Sequence, residues 1–388
     1  MTRVQLVCQF GQPVRGLSPY GDALFGSMPR EEGLQVDRVD FASAYPSVLH
    51  PAERGGAKGP GGALHWASPL SWNQVARAPA DVIHIQHWAP PLSSYLWPLA
   101  AMAHRRGKKV LVTVHNPLPH EKSGMFRMLE DRLLRSADAL VVHGEAARED
   151  VLRRLGRRTP PVHVVPHGLA PLRQPAPASE QDYRRLGLSP SRRHVLLFGN
   201  LRGYKGLDVL LEAWSSVRSE LDDVVLVIAG RLWGGRQGIG GRLAASLAGT
   251  GEEAAGIQAM LEGRALRDRI VLLEGFQSDE DIDALIRVSA LSVFPYRRLS
   301  GQSGAACRAA AMGCPVLVSR VGALPDLAID DTWIVRPGDA DELARRLLEK
   351  LRAPDTLAVA GQLQLRAVSG YDWPTIARMH LDLYRSLA

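Results

Sequence analysis

The chain has 388 residues, 46% hydrophobic and 22% charged, a globular balance with room for two or three domains rather than one. Mean hydropathy is −0.08 and no apolar run reaches the ~18 residues of a membrane span, so a fibrous, largely disordered or membrane-spanning chain is excluded. Residues 1–10 are too short and too polar for a signal-peptide core and read as a first buried strand. Three cysteines, Cys8, Cys307 and Cys314, are too few for a disulfide framework and point to the reducing cytoplasm.

The formal net charge is +7, and it is uneven. Residues 1–175 carry 21 Lys/Arg against 14 Asp/Glu, whereas residues 176–388 carry 26 of each. A basic field attracts phosphates, nucleic acid or anionic membrane. A solvated basic face without a partner fits the same numbers.

In chain order, apolar runs at 4–8, 81–85, 109–115, 139–143 and 162–166 read as strands. Helix-compatible stretches at 91–106, 124–136 and 145–155 separate the later ones. This alternation predicts a parallel sheet with crossover helices. Residues 170–180 are rich in Pro and Ala and mark a linker. The alternation then restarts, with strands at 194–198, 224–229, 270–274, 291–294 and 315–319. Helices are expected at 207–218, 279–288, 304–312 and 340–352. Gly-rich segments at 52–62 and 233–256 read as loops. The fold class expected is α/β, with two doubly wound domains. Ligands bind such sheets at the carboxyl ends of strands.

Three stretches can carry chemistry. Phe198 and Gly199 end a strand, and Asn200, Arg202, Gly203, Lys205 and Gly206 lead into a helix. Backbone N–H groups, a helix N-terminus and two cations there suit a phosphate or diphosphate. An ordinary βα loop with surface cations has the same spacing. Next, Tyr296–Gly304 is a polar loop opening a small-residue helix. Ser303 and Gly304 would form its first turn and could hold an anionic or polyol ligand. A simply capped helix explains it equally. The third stretch is the strand ends of the first half, with Gly11 and Gly16, His84 and His87, and His115. His84 and His87 face opposite sides of a strand and no carboxylate or thiol completes a metal set. His115, at a strand end, is placed to polarise or position a reacting group.

Read together, the segments resemble those of GT-B glycosyltransferases of the retaining family 4 group. In order they are Gly16 with Tyr20, Asp81–His84, Thr113–His115, Ser136–Ala139 and Val164–Gly168. The second half adds Lys205-Gly206 with Leu210–Ala213, Ala229-Gly230, Gly275-Phe276, Ala311–Val316, Val321–Asp326 and Tyr371–Trp373. The resemblance implies an N-terminal acceptor-binding domain over 1–172 and a C-terminal nucleotide-sugar domain over 173–370. It also implies a terminal helix within 371–388 that packs back on the first domain.

By this resemblance Lys205 contacts the donor diphosphate, Arg202 stands in for an arginine that the family places at Asn200, and His115 lies near the transferred sugar. Gly16 lets backbone approach the donor phosphate, and Phe276 belongs to the donor site. Two family glutamates would fall at Ser300 and Arg308, neither of them acidic. Gln302, Ser303 and Gly304, with Gly301, would take over in a Gln-Ser-Gly subgroup, and an anionic donor sugar such as a uronic acid is the expected consequence. His87, Trp88, His120 and Glu121 are acceptor-side candidates, with Trp88 stacking on a sugar ring. The implied reaction is retaining hexosyl transfer from a nucleoside diphosphate sugar to a glycan or lipid-linked acceptor, in polysaccharide or glycoconjugate biosynthesis. No metal and no cofactor beyond the donor is implied. A non-catalytic sugar-nucleotide-binding subunit of the same fold is the main rival. An epimerase would want acidic residues, and a phosphorylase a pyridoxal lysine motif. Nucleic acid is not an expected partner. The runs at 105–109 and 153–158 suggest instead a peripheral contact with anionic membrane.

Overall fold

The structure, a computed structural model, describes residues 1–11, 18–29, 33–44, 63–117, 124–169, 176–231, 269–299 and 301–388. The loops expected at 52–62 and 233–256 lie outside the described residues. The chain divides into two units, Met1–Gly168 with Tyr371–Ala388, and Leu169–Gly370.

In the first unit the strands are β1 (Thr2–Cys8), β2 (Leu34–Ser43), β3 (Leu64–His65), β4 (Val82–His87), β5 (Lys109–Val114), β6 (Ala139–Val142) and β7 (Val162–Val164). They form one sheet in the order β3-β2-β1-β4-β5-β6-β7, with parallel pairing throughout. Every residue of β4 is buried, as expected of a central strand covered on both faces. Side chains alternate between two cores. Ile83, Ile85, Val110 and Val112 face one cluster, where helices α2 (Pro69–Arg77), α3 (Ser93–His104), α4 (Gly124–Ser136) and α5 (Glu145–Leu155) lie. Val82, Leu111 and Val141 face the other. There they meet Tyr20 and Leu24 of α1 (Ser18–Gly26), and Ile376 and Tyr384 of the terminal helix (Trp373–Leu387). Asp372 caps that helix, its carboxylate accepting from Thr375 N at 2.9 Å, which fixes where the last helix begins.

The second unit holds β8 (Arg193–Phe198), β9 (Val224–Gly230), β10 (Ile270–Glu274), β11 (Ser289–Phe294), β12 (Val316–Ser319) and β13 (Ile334–Val335). Their order is β10-β9-β8-β11-β12-β13, again parallel. Helices α6 (Glu180–Leu186), α7 (Leu207–Val217), α8 (Asp279–Val288), α9 (Gly304–Ala311), α10 (Ala340–Leu351) and α11 (Pro354–Ala367) accompany them; the terminal helix is α12. The helix α7 buries Leu207, Leu210, Leu211 and Trp214 at helical spacing.

Sequence reading did not place α1, β2, β3, α2, α6, α11 or β13. In β2, Asp37, Arg38 and Asp40 interrupt the apolar residues, and only Val39 and Phe41 approach full burial. A strand buried so thinly lacks the continuous apolar signal of β4.

Candidate functional site

In each sheet the order reverses beside the first strand of the unit, between β1 and β4 and between β8 and β11. Crossovers on either side of such a switch point diverge and leave a crevice at the carboxyl ends of the strands. In the second unit two loops border it, 199–206 after β8 and 295–303 after β11. They are in close contact. Arg297 N donates to Tyr204 O at 2.8 Å, and the Arg297 guanidinium pairs with Asp208. Gly206 sits at φ +69, and a Cβ there would overlap Pro295 O. Only glycine serves both demands.

This turn aims Lys205 inward. The side chain is 8% exposed, with Nζ 5.2 Å from the Tyr296 ring centre. The Tyr296 hydroxyl lies 3.0 Å from Ser303 Oγ, and Ser303 Oγ accepts from Ala306 N as the cap of α9. A Cβ on Gly199 would stand 3.3 Å from Lys205 Nζ and 3.6 Å from Ala305 Cβ. The ammonium and the first turn of α9 therefore share one small space beside Gly199. Neither brings a counter-charge. The first turn of α9 has no acidic residue, and no carboxylate among the described residues lies within ion-pair distance of Lys205. Burial, and then the charge of Arg202, push Lys205 down to about 8. A buried cation beside a helix N-terminus is an arrangement that can hold an anion.

The other donor-side candidates fall at various depths. Asn200 and Arg202 are exposed on the same loop. Gly301 O accepts from Ala323 N at 3.2 Å, with Gly322 packed 2.8 Å against it by its would-be Cβ. Gln302 Oε1 accepts from Ser303 N at 3.3 Å. Gly304 is exposed with open space around it. Phe276 stands 82% exposed after β10. Gly16, Ser300, His120 and Glu121 lie outside the described residues. Arg308 corrects an expectation. Its guanidinium is engaged by α8, pairing with Asp279 at 2.6 Å and Asp283 at 2.7 Å. Two carboxylates of α8 therefore neutralise Arg308, so it is held by that helix rather than left to a ligand.

In the first unit the strand ends converge on a cluster of rings. His115 follows β5 and is partly exposed. One of its nitrogens is 2.7 Å from the Gln86 amide and the other 2.9 Å from His143 Nε2. Tyr20 stands edge-on to it at 4.7 Å between centres, and edge-on to His167 and Trp373 at 5.1 and 5.0 Å. A Cβ on Gly168 would collide with the Trp373 indole, so this ring seats only over glycine. Behind lie His84 and His380, 5.3 Å apart and stacked. Burial pushes all five histidines below their usual range, His143 to about 3 and His380 to about 4. They are neutral at physiological pH. Gln86, His143, His380 and Tyr384 were not singled out from sequence. The available signal was periodicity: Gln86 follows His84 at strand spacing, and Tyr384 follows His380 at helical spacing.

His87 is a second correction. It points to the opposite face from His84, is fully buried, and its Nε2 meets Ser93 Oγ at 2.8 Å. Its Nδ1 is 3.5 Å from Glu130, itself buried and paired with Arg154 at 2.6 Å. His87 therefore packs α3 and α4 onto the sheet, away from the His84 face. Trp88 is half-buried, edge-on to Phe41 at 5.6 Å. The basic runs are partly buried. Lys108 is buried with its ammonium on Ala78 O, and the Arg154 side chain is only 3% exposed, so neither can face a membrane.

Comparison with known proteins decides what the two units are. Residues 29–171 match the model described as Glycosyltransferase Family 4, and residues 192–353 that described as Glycosyl transferases group 1. The chain is built from glycosyltransferase domains of the GT-B type. It is 26% identical over 319 residues to a D-inositol 3-phosphate glycosyltransferase of Xylanimonas cellulosilytica, covering 78% of this chain and 71% of that one. Over 300 residues it is 27% identical to an MMP alpha-(1->4)-mannosyltransferase of Mycolicibacterium hassiacum, covering 74% and 65%. The fold matches HepE of Anabaena, solved in complex with UDP, at TM-score 0.71 and 17% identity over the whole of both chains. The chain has no metal-binding group of three or more His, Cys, Asp or Glu among the described residues. No described helix is long and apolar enough to cross a membrane.

Proposed function

We propose that the protein transfers a hexosyl group, with retention at the anomeric carbon, from a nucleoside diphosphate sugar to a glycan or lipid-linked saccharide. One observation carries the reading. Lys205 is a buried cation beside the first turn of α9, at the switch point of the second sheet, with no carboxylate among the described residues to neutralise it. A diphosphate supplies that charge. When the bond between the sugar and the β-phosphate breaks, negative charge grows on the phosphate oxygens. Lys205, Arg202 and the helix N-terminus offset it. In a front-face reaction the leaving phosphate takes the acceptor proton, so no side-chain nucleophile is required. Ser303, Gln302 and the 301–304 backbone are the proposed partners of the sugar hydroxyls.

A uracil base is favoured because the structurally similar HepE was solved with UDP. The test is thermal shift with UDP, GDP and ADP at one common concentration, where a nucleotide present at 100 times its dissociation constant adds ~2.7 kcal/mol and a weaker one less. It is followed by turnover of labelled donor sugars. Stabilisation by UDP together with sugar transfer supports the proposal. Tight donor binding without transfer or slow donor hydrolysis indicates instead the non-catalytic subunit.

A lipid-linked acceptor is favoured by the outer face of α4. Met125 and Met128 are 60% and 48% exposed there, beside exposed Arg127 and Arg132. Met125, Met128 and Arg132 recur at i, i+3 and i+7 and so share one helix face, an apolar and basic combination that suits an anionic bilayer surface. Sedimentation with anionic vesicles at low salt tests this, and no binding there would reduce the basic excess to a solvated face.

A further inference from the structure

The ring cluster of the first unit permits a complete proton count. Tyr384 Oη is 2.7 Å from His84 Nδ1. His84 Nε2 is 2.7 Å from Thr113 Oγ1 and 3.0 Å from one atom of the Gln86 amide. The other amide atom is 2.7 Å from His115 Nε2. His115 Nδ1 is 2.9 Å from His143 Nε2, and His143 Nδ1 is 3.0 Å from the carbonyl oxygen of Val165. The nitrogen and oxygen of an amide fill the same space, so the protons decide which faces which ring.

Suppose the amide oxygen faced His115. His115 Nε2 would then have to donate to it. At the far end His143 Nδ1 must donate to Val165 O, because a carbonyl only accepts. One further proton lies between the two rings. Two imidazoles would hold three protons, and the pair would be a cation. Among the described residues, the titratable groups that act on the pair are His84, His87, His167 and His380, none of them an anion, and the rings against it are Tyr20 and His167. A buried charge without a counter-ion is strongly disfavoured. With the amide nitrogen towards His115, every contact is satisfied and every ring is neutral. Tyr384 then donates to His84, and His84 donates to the Gln86 oxygen and to Thr113. Gln86 donates to His115, His115 to His143, and His143 to Val165 O.

We propose that Gln86 orients a one-way hydrogen-bond relay from Tyr384 through His84, Gln86, His115 and His143 to Val165, which holds His115 in its Nδ1–H form with both ring nitrogens occupied. Gln86 and His143 are thus positioning residues. His115 presents a fixed, neutral ring rather than a proton donor or acceptor. The relay deepens the glycosyl-transfer reading, on which the importance of His115 rests, but its geometry stands apart from that reading.

The test uses the full chain labelled with 15N-histidine. Long-range 1H–15N spectra at pH 7.5 should show a protonated Nδ1 and a bare Nε2 for His115 and His143, and the reverse for His84. In Gln86→Glu a carboxylate replaces the amide donor, both ends of the pair face acceptors, and the titration of the His115–His143 pair should move up by about 1–3 pH units. A wild-type His115 carrying Nε2–H, or an imidazolium signal from this pair at pH 7.5, overturns the relay without any variant. So does a folded Gln86→Glu protein whose His115 titrates as in the wild type. Expected tautomers in a protein that transfers no sugar would uphold the relay and reject the functional reading instead.

Discussion

Replacing Lys205 with Met separates a ligand-binding cation from a structural one. Desolvation and Arg202 move the ammonium from 10.5 to about 8. At pH 7 the charged form is therefore disfavoured in the folded protein by about 3 kcal/mol, at about 1.4 kcal/mol per pH unit. Methionine keeps the volume and removes the charge. It forfeits the contact with the Tyr296 ring, 5.2 Å away, worth about 0.5–2 kcal/mol. The ligand-free variant should gain about 1–2 kcal/mol, a rise in Tm of roughly 2–8 °C for a unit of this size. The sign with pH follows from linkage. Between pH 8 and 10.5 the unfolded chain binds the proton that the folded chain has released, so wild-type stability rises across this window. Lys205→Met should lack that rise. It should also lose the ~2.7 kcal/mol that UDP at 100 times its wild-type dissociation constant gives the wild type. Differential scanning fluorimetry with and without UDP, from pH 7 to 10.5, reads all three. A Lys205→Met protein that is less stable at pH 7 and still responds fully to UDP would refute the reasoning.

Other expectations follow from the same structure. Gly206→Ala forces a side chain into left-handed backbone and against Pro295 O; it should cost at least ~2 kcal/mol and weaken UDP binding, and an unchanged melt with unchanged UDP response would contradict the loop contact. The buried histidines have folded values below the unfolded one, so their stability is complete above about pH 6.5 and lost as pH falls towards 3–4. Each contributes up to ~1.4 kcal/mol per pH unit, and a melting temperature that stays flat from pH 7.5 to 5 would show the cluster to be solvated. Arg154→Leu strands the buried Glu130 carboxylate and should cost about 3–5 kcal/mol by chemical denaturation. Adding Glu130→Leu should restore most of it, and a single variant within 1 kcal/mol of wild type would deny the pair its role.

Much of this molecule is written locally. Runs such as the fully buried β4, and β8 with all but its first residue buried, announce central parallel strands. The glycines at 199 and 206, with Lys205 between them, announce a phosphate-sized turn. The order of these segments alone carried the resemblance to GT-B glycosyltransferases. Local signals suffice there because parallel strands buried on both faces and glycine-bound turns depend on residues adjacent in the chain. The strand β2, half polar, gave no such signal.

Tertiary structure decided the fates of individual polar side chains, because each depends on partners far away in sequence. His84 and His87 stand three residues apart; one joins a relay with Tyr384, 300 residues on, and the other is sealed against Glu130. Arg308 reads as a donor-site position where a glutamate is missing, and α8 brings Asp279 and Asp283 to its guanidinium. The +7 charge underwent the same sorting. Its location in the first half was visible in the sequence, but only the fold showed that Lys108 and Arg154 are spent inside, while Arg127 and Arg132 remain on the surface beside exposed methionines. A formal charge is counted along the chain; whether it acts on a ligand, a lipid or a buried carboxylate is set by what folding places within a few ångströms of it.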